Sequence, residues 1–218
     1  ELAMPPVIKE CYKSILRNCN GRTVVLLDQN NFKDYITLPD YILRKFYEGV
    51  ISKTHFSDIL RVGLLKEHGG MWIDAAIFVT KPIPYYNTMF YSPRLNKELQ
   101  DSPHMGQWVM GVMGAPSQMP LFSYIYDMLL NYWEKYDAVF SYLMFDYFIQ
   151  YAYKHISWVK DLISNRPIDS PDLHFSRYSF SKEVNENILD SLLENNTFLS
   201  LKYHIKYPKY SVNGNKSY

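Results

Sequence analysis

Cysteine is scarce in this sequence, and its scarcity excludes two kinds of stabilising site. The 218 residues include only Cys11 and Cys19, with no cysteine or histidine cluster around them. Two lone thiols at this spacing match no zinc-binding pattern, and two cysteines are too few for a disulfide-rich secreted domain. We therefore expect reduced thiols and a cytoplasmic setting.

An excess of one charge and long apolar runs are lacking as well. The net charge is +1, from 23 Lys and Arg against 22 Asp and Glu, so the composition provides no general attraction for nucleic acid. No apolar run approaches the roughly 18 residues of a membrane-spanning helix, and no signal peptide is recognisable. We expect no nucleic-acid partner and at most a peripheral association with the inner face of the membrane. The oligomeric state stays open.

Aromatic and apolar side chains are abundant. Aromatic residues make up 17% of the chain, and 20 of them are tyrosines, whose rings suit both cores and sugar binding. A hydrophobic share of 47% is enough for one substantial core, so we expect a single domain over 1–218. A helix pattern at 5–18 followed by a β-branched run at 23–27 predicts an α/β first half.

The second half is predicted to be mainly helical. Apolar residues recur at helical spacing in 118–134, 138–153 and 182–195. A glycine-containing apolar run at 107–115 predicts a strand just before these helices. We therefore divide the domain into an α/β half, 1–115, and a helical half with a tail, 116–218.

Residues 55–82 form the most informative stretch. Apolar residues at helical spacing from Phe56 to Leu65 predict a helix, and Gly69 and Gly70 end it, because glycine accepts the left-handed conformation of a helix C-cap. Met71 to Val79 is then an apolar run of strand length.

Asp74 is the only charged residue in that predicted strand, where an unpaired carboxylate is costly. One interpretation is an aspartate that caps a turn or pairs with a Lys or Arg. The other is a ligand for a divalent cation or a sugar-nucleotide hydroxyl, because open α/β sheets bind ligands at the carboxyl ends of their strands. Asp58 and Arg61 share a face of the preceding helix, either as an ordinary ion pair or as the lining of the same cleft.

Taken together, these residues resemble the bacterial capsular polysaccharide synthesis glycosyltransferases. The shared pattern is Ser57-Asp58-x-x-Arg61, Gly69-Gly70-x-Trp72-x-Asp74-Ala75 and Lys81-Pro82. The resemblance implies a GT-A-like α/β fold, a Rossmann-like mixed sheet flanked by helices with a helical C-terminal part. It also implies transfer of a hexose from a nucleotide-sugar donor, a UDP-sugar, to a growing capsular or exopolysaccharide acceptor, either a glycan or a lipid-linked oligosaccharide.

The resemblance further implies roles for individual residues. Asp74 and Asp146 are implied as catalytic residues, and Asp74 and His204 as ligands of Mn²⁺ or Mg²⁺. Half 1–115 would bind the donor and half 116–218 the acceptor. Donor-binding residues are implied at Ser57, Asp58, Arg61, Gly69, Gly70, Trp72, Asp74, Ala75, Trp108 and Lys202.

Structural interpretations stand beside several of these roles. Trp108 is equally a core residue, Asp146 a buried acceptor of hydrogen bonds, and the Lys202 segment a solvated tail. Ala76 occupies the position of a second strand carboxylate in the wider superfamily, which leaves a hard cation with one carboxylate instead of two. Asp74 would then bind sugar or ribose hydroxyls without a metal.

Two other classes of function remain as alternatives. Ala76, and the lack of a predicted strand ahead of the first helix, favour a non-catalytic sugar- or polysaccharide-binding protein of the same fold. An interaction protein whose aromatic helices dock on a membrane enzyme is the third class, and it would expose an apolar patch.

Overall fold

A computed structural model describes residues 4–83, 90–95, 102–175, 179, 182–201, 214 and 216. The helices are α1 (Pro6–Asn18), α2 (Asp40–Tyr47), α3 (Lys53–His68), α4 (Pro120–Lys135), α5 (Met144–His155), α6 (Ser157–Ser164) and α7 (Glu186–Asn195). The strands are β1 (Gly70–Ile73), β2 (Ile77–Val79), β3 (Val112–Ala115) and β4 (Phe198–Ser200), and a 3₁₀ turn spans Phe32–Asp34.

The described strands form two small antiparallel sheets. Strand β1 pairs with β3, from Gly70 opposite Ala115 to Ile73 opposite Val112. Strand β2 pairs with β4, from Ile77 opposite Ser200 to Val79 opposite Phe198. The mixed α/β class is confirmed, but within the described ranges the strands do not assemble into one larger mixed sheet.

The strand predicted at 23–27 is wrong. This segment is irregular, and Val25 and Leu26 expose their side chains to solvent. No described strand lies beside it, and β-branched residues alone do not make a strand without a ladder partner. The strand predicted at 107–115 is confirmed only over Val112–Ala115, because turn hydrogen bonds such as Val112 N–H to Val109 O occupy the residues before it.

The predicted helices are present, with shifted starts in the second half. Helices α1 and α4 match the predictions closely, whereas α5 begins at Met144 instead of 138 and α7 begins at Glu186 instead of 182. The sequence patterns did not predict α6 or β4. Among the described residues, none of the helices combines the length and hydropathy that a bilayer crossing requires.

Helix α3 lies at the centre of the larger hydrophobic core and packs mainly against α4. Gly63 permits this close approach, because a Cβ there would lie 2.3 Å from Ile36 Cδ1 and 2.9 Å from Tyr126 Cε2. A smaller core joins α1 to the β2–β4 sheet, where Ser14 Oγ accepts a hydrogen bond from Val79 N–H. Cys11 and Cys19 carry free thiols, as predicted.

Candidate functional site

The turn at Gly69 brings strand β1 back along helix α3. Gly69 has a φ of 69°, and its N–H donates to Leu65 O, so the helix ends there and the chain reverses. The helix from Arg61 to its end and the strand from Gly70 to Asp74 cover similar distances, about 11 and 13 Å. Asp74, directly after β1, is therefore placed beside Arg61 in the middle of α3.

Arg61 joins two aspartates. Its Nη1 donates to Asp58 Oδ1 at 2.7 Å, and its Nη2 donates to Asp74 Oδ1 at 3.0 Å. The guanidinium also lies against the rings of Trp72 and Phe145, with its Cζ 5.3 and 5.6 Å from their centroids. The bridge thus fixes Asp74 to the central helix through a cation enclosed by aromatic rings.

The two aspartates that contact Arg61 differ in their exposure to solvent. The side chains of Arg61 and Asp58 are buried, at 4% and 5% exposure, whereas that of Asp74 is 41% exposed. Trp72 Nε1 donates a second hydrogen bond to Asp74 Oδ1 at 2.6 Å. The protein therefore holds one oxygen of a carboxylate that remains accessible to solvent.

Gly111 on the neighbouring chain segment makes room for this carboxylate. Asp74 N–H donates to Gly111 O at 2.8 Å, which extends the β1–β3 ladder by one residue. A Cβ on Gly111 would lie 3.1 Å from Asp74 Oδ2. The absence of a side chain at 111 therefore leaves space beside the second oxygen.

A third carboxylate lies behind the bridge. Asp146, in the first turn of α5, is buried and accepts a hydrogen bond from Trp108 Nε1 at 2.7 Å. Burial raises the pKa of Asp146 to about 6, and the nearby Asp58 charge adds to this, while the Trp108 bond and Arg61 oppose it.

Arg61 is the positive charge around which these carboxylates gather. Burial works against its charged form, but Asp74 and Asp58 more than compensate, and the pKa of Arg61 is raised. Burial also disfavours the charged form of Asp58, so it raises the pKa of that carboxyl, and Arg61 opposes this effect. The Arg61 Nε atom is buried without a hydrogen-bond partner among the described residues.

Three of the residues predicted to contact the donor are buried. Asp58 and Arg61 are buried, so in this conformation they position Asp74 and do not themselves present groups to a donor. Trp108 is fully buried, so it has no accessible ring face for a sugar and instead supplies the hydrogen bond to Asp146.

The glycine pair lies away from the carboxylate. Gly69 and Gly70 are at the opposite end of β1 from Asp74, about 13 Å along the strand. A Cβ on Gly69 would lie 2.5 Å from Ser117 N and 2.9 Å from Ala115 O, so this glycine permits a close contact between backbone segments. Its local role is the chain reversal, and donor binding at Gly69 and Gly70 stays a prediction.

The remaining predicted residues divide by position. Trp72 and Ala75 adjoin Asp74, with Ala75 exposed, and Ser57 is partly buried on α3. The catalytic interpretation of Asp146 stays a prediction, while its contact with Trp108 matches the structural interpretation. Lys202 and His204 lie outside the described residues.

Sequence reasoning missed two contributors to the site. Phe145 was treated only as part of an apolar helix, although its ring contacts Arg61. Gly111 lies in the apolar run predicted as a strand, but its neighbour, the Asp74 carboxylate, could not be identified before the β1–β3 pairing was known.

The described residues do not fit a resident Mn²⁺ or Mg²⁺. No three acidic, histidine or cysteine side chains in the described part of the chain gather as a metal-ligand set. Asp74 offers a single carboxylate, one oxygen of which already accepts from Arg61 and Trp72, and the guanidinium charge repels a second cation.

Comparison with models of known protein families identifies the family to which the sequence is similar. A family model described as capsular polysaccharide synthesis protein matches residues 1–218, the full length of the sequence. No curated protein matches the chain.

Proposed function

The chain belongs to the capsular polysaccharide synthesis protein family, and on that premise we propose that it is a glycosyltransferase acting on a nucleotide-sugar donor. The family description gives the process, the making of capsular polysaccharide. Building a polysaccharide requires sugars to be transferred one after another from activated donors, and an enzyme of this family is the simplest agent of such a step. We extend the proposal to a GT-A-like fold and a UDP-sugar donor.

The fixed but accessible carboxylate of Asp74 is the observation that carries this proposal. It follows the last residue of strand β1, in the turn before β2. Its Oδ1 is held by Arg61 and Trp72, so its orientation is set before a ligand arrives. Oδ2 is then available to accept a hydrogen bond from a hydroxyl of the donor sugar or ribose.

Arg61 and Asp58 act through Asp74. Arg61 orients Asp74, and Asp58 keeps Arg61 in place with the shorter of the two ion pairs, 2.7 against 3.0 Å. A charged acceptor makes a stronger hydrogen bond to a hydroxyl than a neutral one. The buried pair therefore serves to position the group that contacts the donor.

Lys202 and His204 are proposed to contact the leaving group, the nucleoside diphosphate. Negative charge develops on the departing nucleoside diphosphate, and basic side chains stabilise it. The acceptor is proposed to be a glycan or lipid-linked oligosaccharide met at the inner face of the membrane.

A non-catalytic glycan-binding protein of the same fold is the second candidate. The single carboxylate favours it, because Ala76 lies where a second acidic residue would be needed for a metal-bound diphosphate.

Isothermal titration with UDP, UDP-glucose, UDP-galactose and UDP-N-acetylglucosamine separates the two candidates. A transferase binds at least one of these nucleotides and slowly hydrolyses the corresponding sugar nucleotide. A binding module takes oligosaccharide without nucleotide, and that result would overturn the enzymatic proposal.

A further inference from the structure

An open cavity of about 420 Å³ lies on α4, α5 and the segment between them. This volume is within the range of about 300–1,000 Å³ that is typical of small-ligand sites. None of the residues of the Asp58–Arg61–Asp74 site lines it. The lining residues are Met128, Phe140, Tyr147, Phe148, Gln150, Tyr151, Lys154 and His155.

Helix α5 separates this cavity from the carboxylate site. Phe145 and Asp146 point inward to Arg61 and Trp108. Tyr147, Tyr151 and Lys154 recur at spacings of four and three residues, which places them together on another face. The same helix therefore supports two chemically different sites.

Aromatic rings form the wall of the cavity and are open to solvent. Phe140 and Tyr151 are 56% and 58% exposed, although rings of this size are usually buried in a core. They are nonetheless ordered by one another: the Phe140 and Tyr147 centroids lie 5.9 Å apart, and those of Tyr151 and His155 4.5 Å apart. All these rings present flat faces, and Tyr147 and Tyr151 add a hydroxyl at the ring edge, which together match the apolar face and hydroxyl rim of a sugar ring.

The charged side chain that lines the cavity, Lys154, is basic. Lys154 and His155 line it, and none of its lining residues is acidic. Two acidic residues on α4 and just after it form ion pairs with lysines outside the lining, Asp127 with Lys66 and Asp137 with Lys45. Gln150 is held by a hydrogen bond from its Nε2 to Pro103 O, so a fixed amide lies beside the lysine.

We propose that this cavity binds an anionic glycan, with the aromatic rings stacked on sugar faces and the Lys154 ammonium paired with a carboxylate of the glycan. The inference rests on the proposed function, and it names the class of acceptor or product that such an enzyme would retain. The complementary charge and the row of rings specify a glycan bearing uronic acids or similar acidic sugars.

An anionic membrane surface fits the same residues less well. Membrane attraction through charge uses clusters of about four to eight Lys or Arg, whereas this cavity has Lys154 alone with His155. Its rings surround a concave space, and a planar lipid surface cannot contact the walls of a cavity. A glycan chain can enter it.

The test is isothermal titration of the full chain with hyaluronan octasaccharide, which alternates uronic acid and N-acetylhexosamine, against neutral chitohexaose. We expect binding of the acidic oligosaccharide, at least tenfold weaker binding in Tyr151→Ala and Lys154→Gln, and much weaker binding of the neutral one. The matched controls are Tyr47→Ala and Lys9→Gln, which remove an exposed tyrosine and an exposed lysine on other helices.

Three results would overturn the inference: no binding of the acidic oligosaccharide, equal binding of the neutral one, or the same loss in Tyr47→Ala as in Tyr151→Ala. Sedimentation with phosphatidylglycerol vesicles tests the membrane alternative. That alternative is favoured if Tyr151→Ala and Lys154→Gln weaken vesicle binding but do not change oligosaccharide binding. Asp74→Asn should leave oligosaccharide binding unchanged, and Tyr151→Ala should leave nucleotide binding unchanged. Failure of the donor site and failure of the glycan site are thus measured separately.

Discussion

Arg61, in the middle of the central helix, donates a hydrogen bond to Asp74 at the end of strand β1, over an Nη2–Oδ1 distance of 3.0 Å. The two residues are 13 positions apart, and the reversal at Gly69 lets them meet. Asp58 contacts the other end of the same guanidinium. A buried ion pair thereby determines the orientation of an accessible carboxylate.

Removal of the guanidinium should strongly destabilise the fold. Arg61→Met leaves the buried Asp58 without its cation, and an uncompensated buried charge costs about 3–5 kcal/mol. Replacing both partners, as in Asp58→Leu with Arg61→Met, should recover most of that loss, since neither charge then remains buried. Urea denaturation of both single variants and the double variant measures the coupling.

Lys13→Met is the control, because it breaks an exposed ion pair of the same i,i+3 spacing with Glu10. It should leave the urea midpoint unchanged. A loss in Arg61→Met no larger than that in Lys13→Met would show that the bridge does not stabilise the fold.

The raised pKa of Asp146 predicts how stability depends on pH. The folded pKa of about 6 lies above the ordinary value of 3.8, so the folded state binds the proton more tightly than the unfolded state. The contribution of Asp146 is therefore fully present below about pH 4 and is lost as the pH rises through about 6, a loss of about 3 kcal/mol.

Asp146→Asn should remove this dependence, because an amide does not ionise. Its unfolding free energy, measured in urea from pH 4 to pH 7.5, should fall less with pH than that of the wild type. Asp161→Asn, which removes an exposed carboxylate, should follow the wild-type profile. Parallel profiles for Asp146→Asn and the wild type would contradict the burial argument.

The two adjacent glycines should differ in their tolerance of alanine. Both have a positive φ, which is strained for a residue with a side chain, so Gly69→Ala and Gly70→Ala should each carry a conformational cost of about 1–3 kcal/mol. Only at Gly69 would the new Cβ meet backbone atoms, with Ser117 N at 2.5 Å, whereas nothing lies within 4 Å at Gly70. We expect Gly69→Ala to be less stable than Gly70→Ala by a further ~1–3 kcal/mol in thermal or urea unfolding.

Equal losses in the two variants would show that the chain reversal has room for a side chain. Folded Gly69→Ala protein that keeps its stability but loses nucleotide binding would instead return this glycine to the donor site.

The sequence was sufficient for the presence of α1, α3, α4, α5 and α7 and for the end of α3, but not for α6. Apolar spacing and the two glycines predicted α3 and the start of β1, and the same patterns predicted α1 and α4. The single strand predicted over Met71 to Val79 is wrong, because a turn divides it into β1 and β2, which pair in different sheets. Strand pairing was beyond local patterns, because β2 pairs with β4 far along the chain and neither strand exceeds three residues. Conversely, 23–27 has the composition of a strand and no described partner.

The sequence indicated that the Asp74 carboxylate needs a partner, because an unpaired charge in an apolar run is costly. The structure provides that partner in Arg61. The contact that stabilises it could not be deduced, because it requires the helix and strand to have matching lengths on either side of Gly69. The bond between Trp108 and Asp146 crosses 38 residues, so the two were predicted separately as ligand contacts. The structure shows that they are each other's partner.

The binding of UDP-sugars to Asp74→Asn tests the proposed donor site most directly. Loss of a charged acceptor costs a hydrogen bond of about 1.5–3 kcal/mol, so the Kd for the UDP-sugar preferred by the wild type should rise about 10- to 100-fold. Asp161→Asn should bind as the wild type does, and circular dichroism should show both variants folded. A Kd in Asp74→Asn within twofold of the wild-type value would contradict the assignment of Asp74 to the donor.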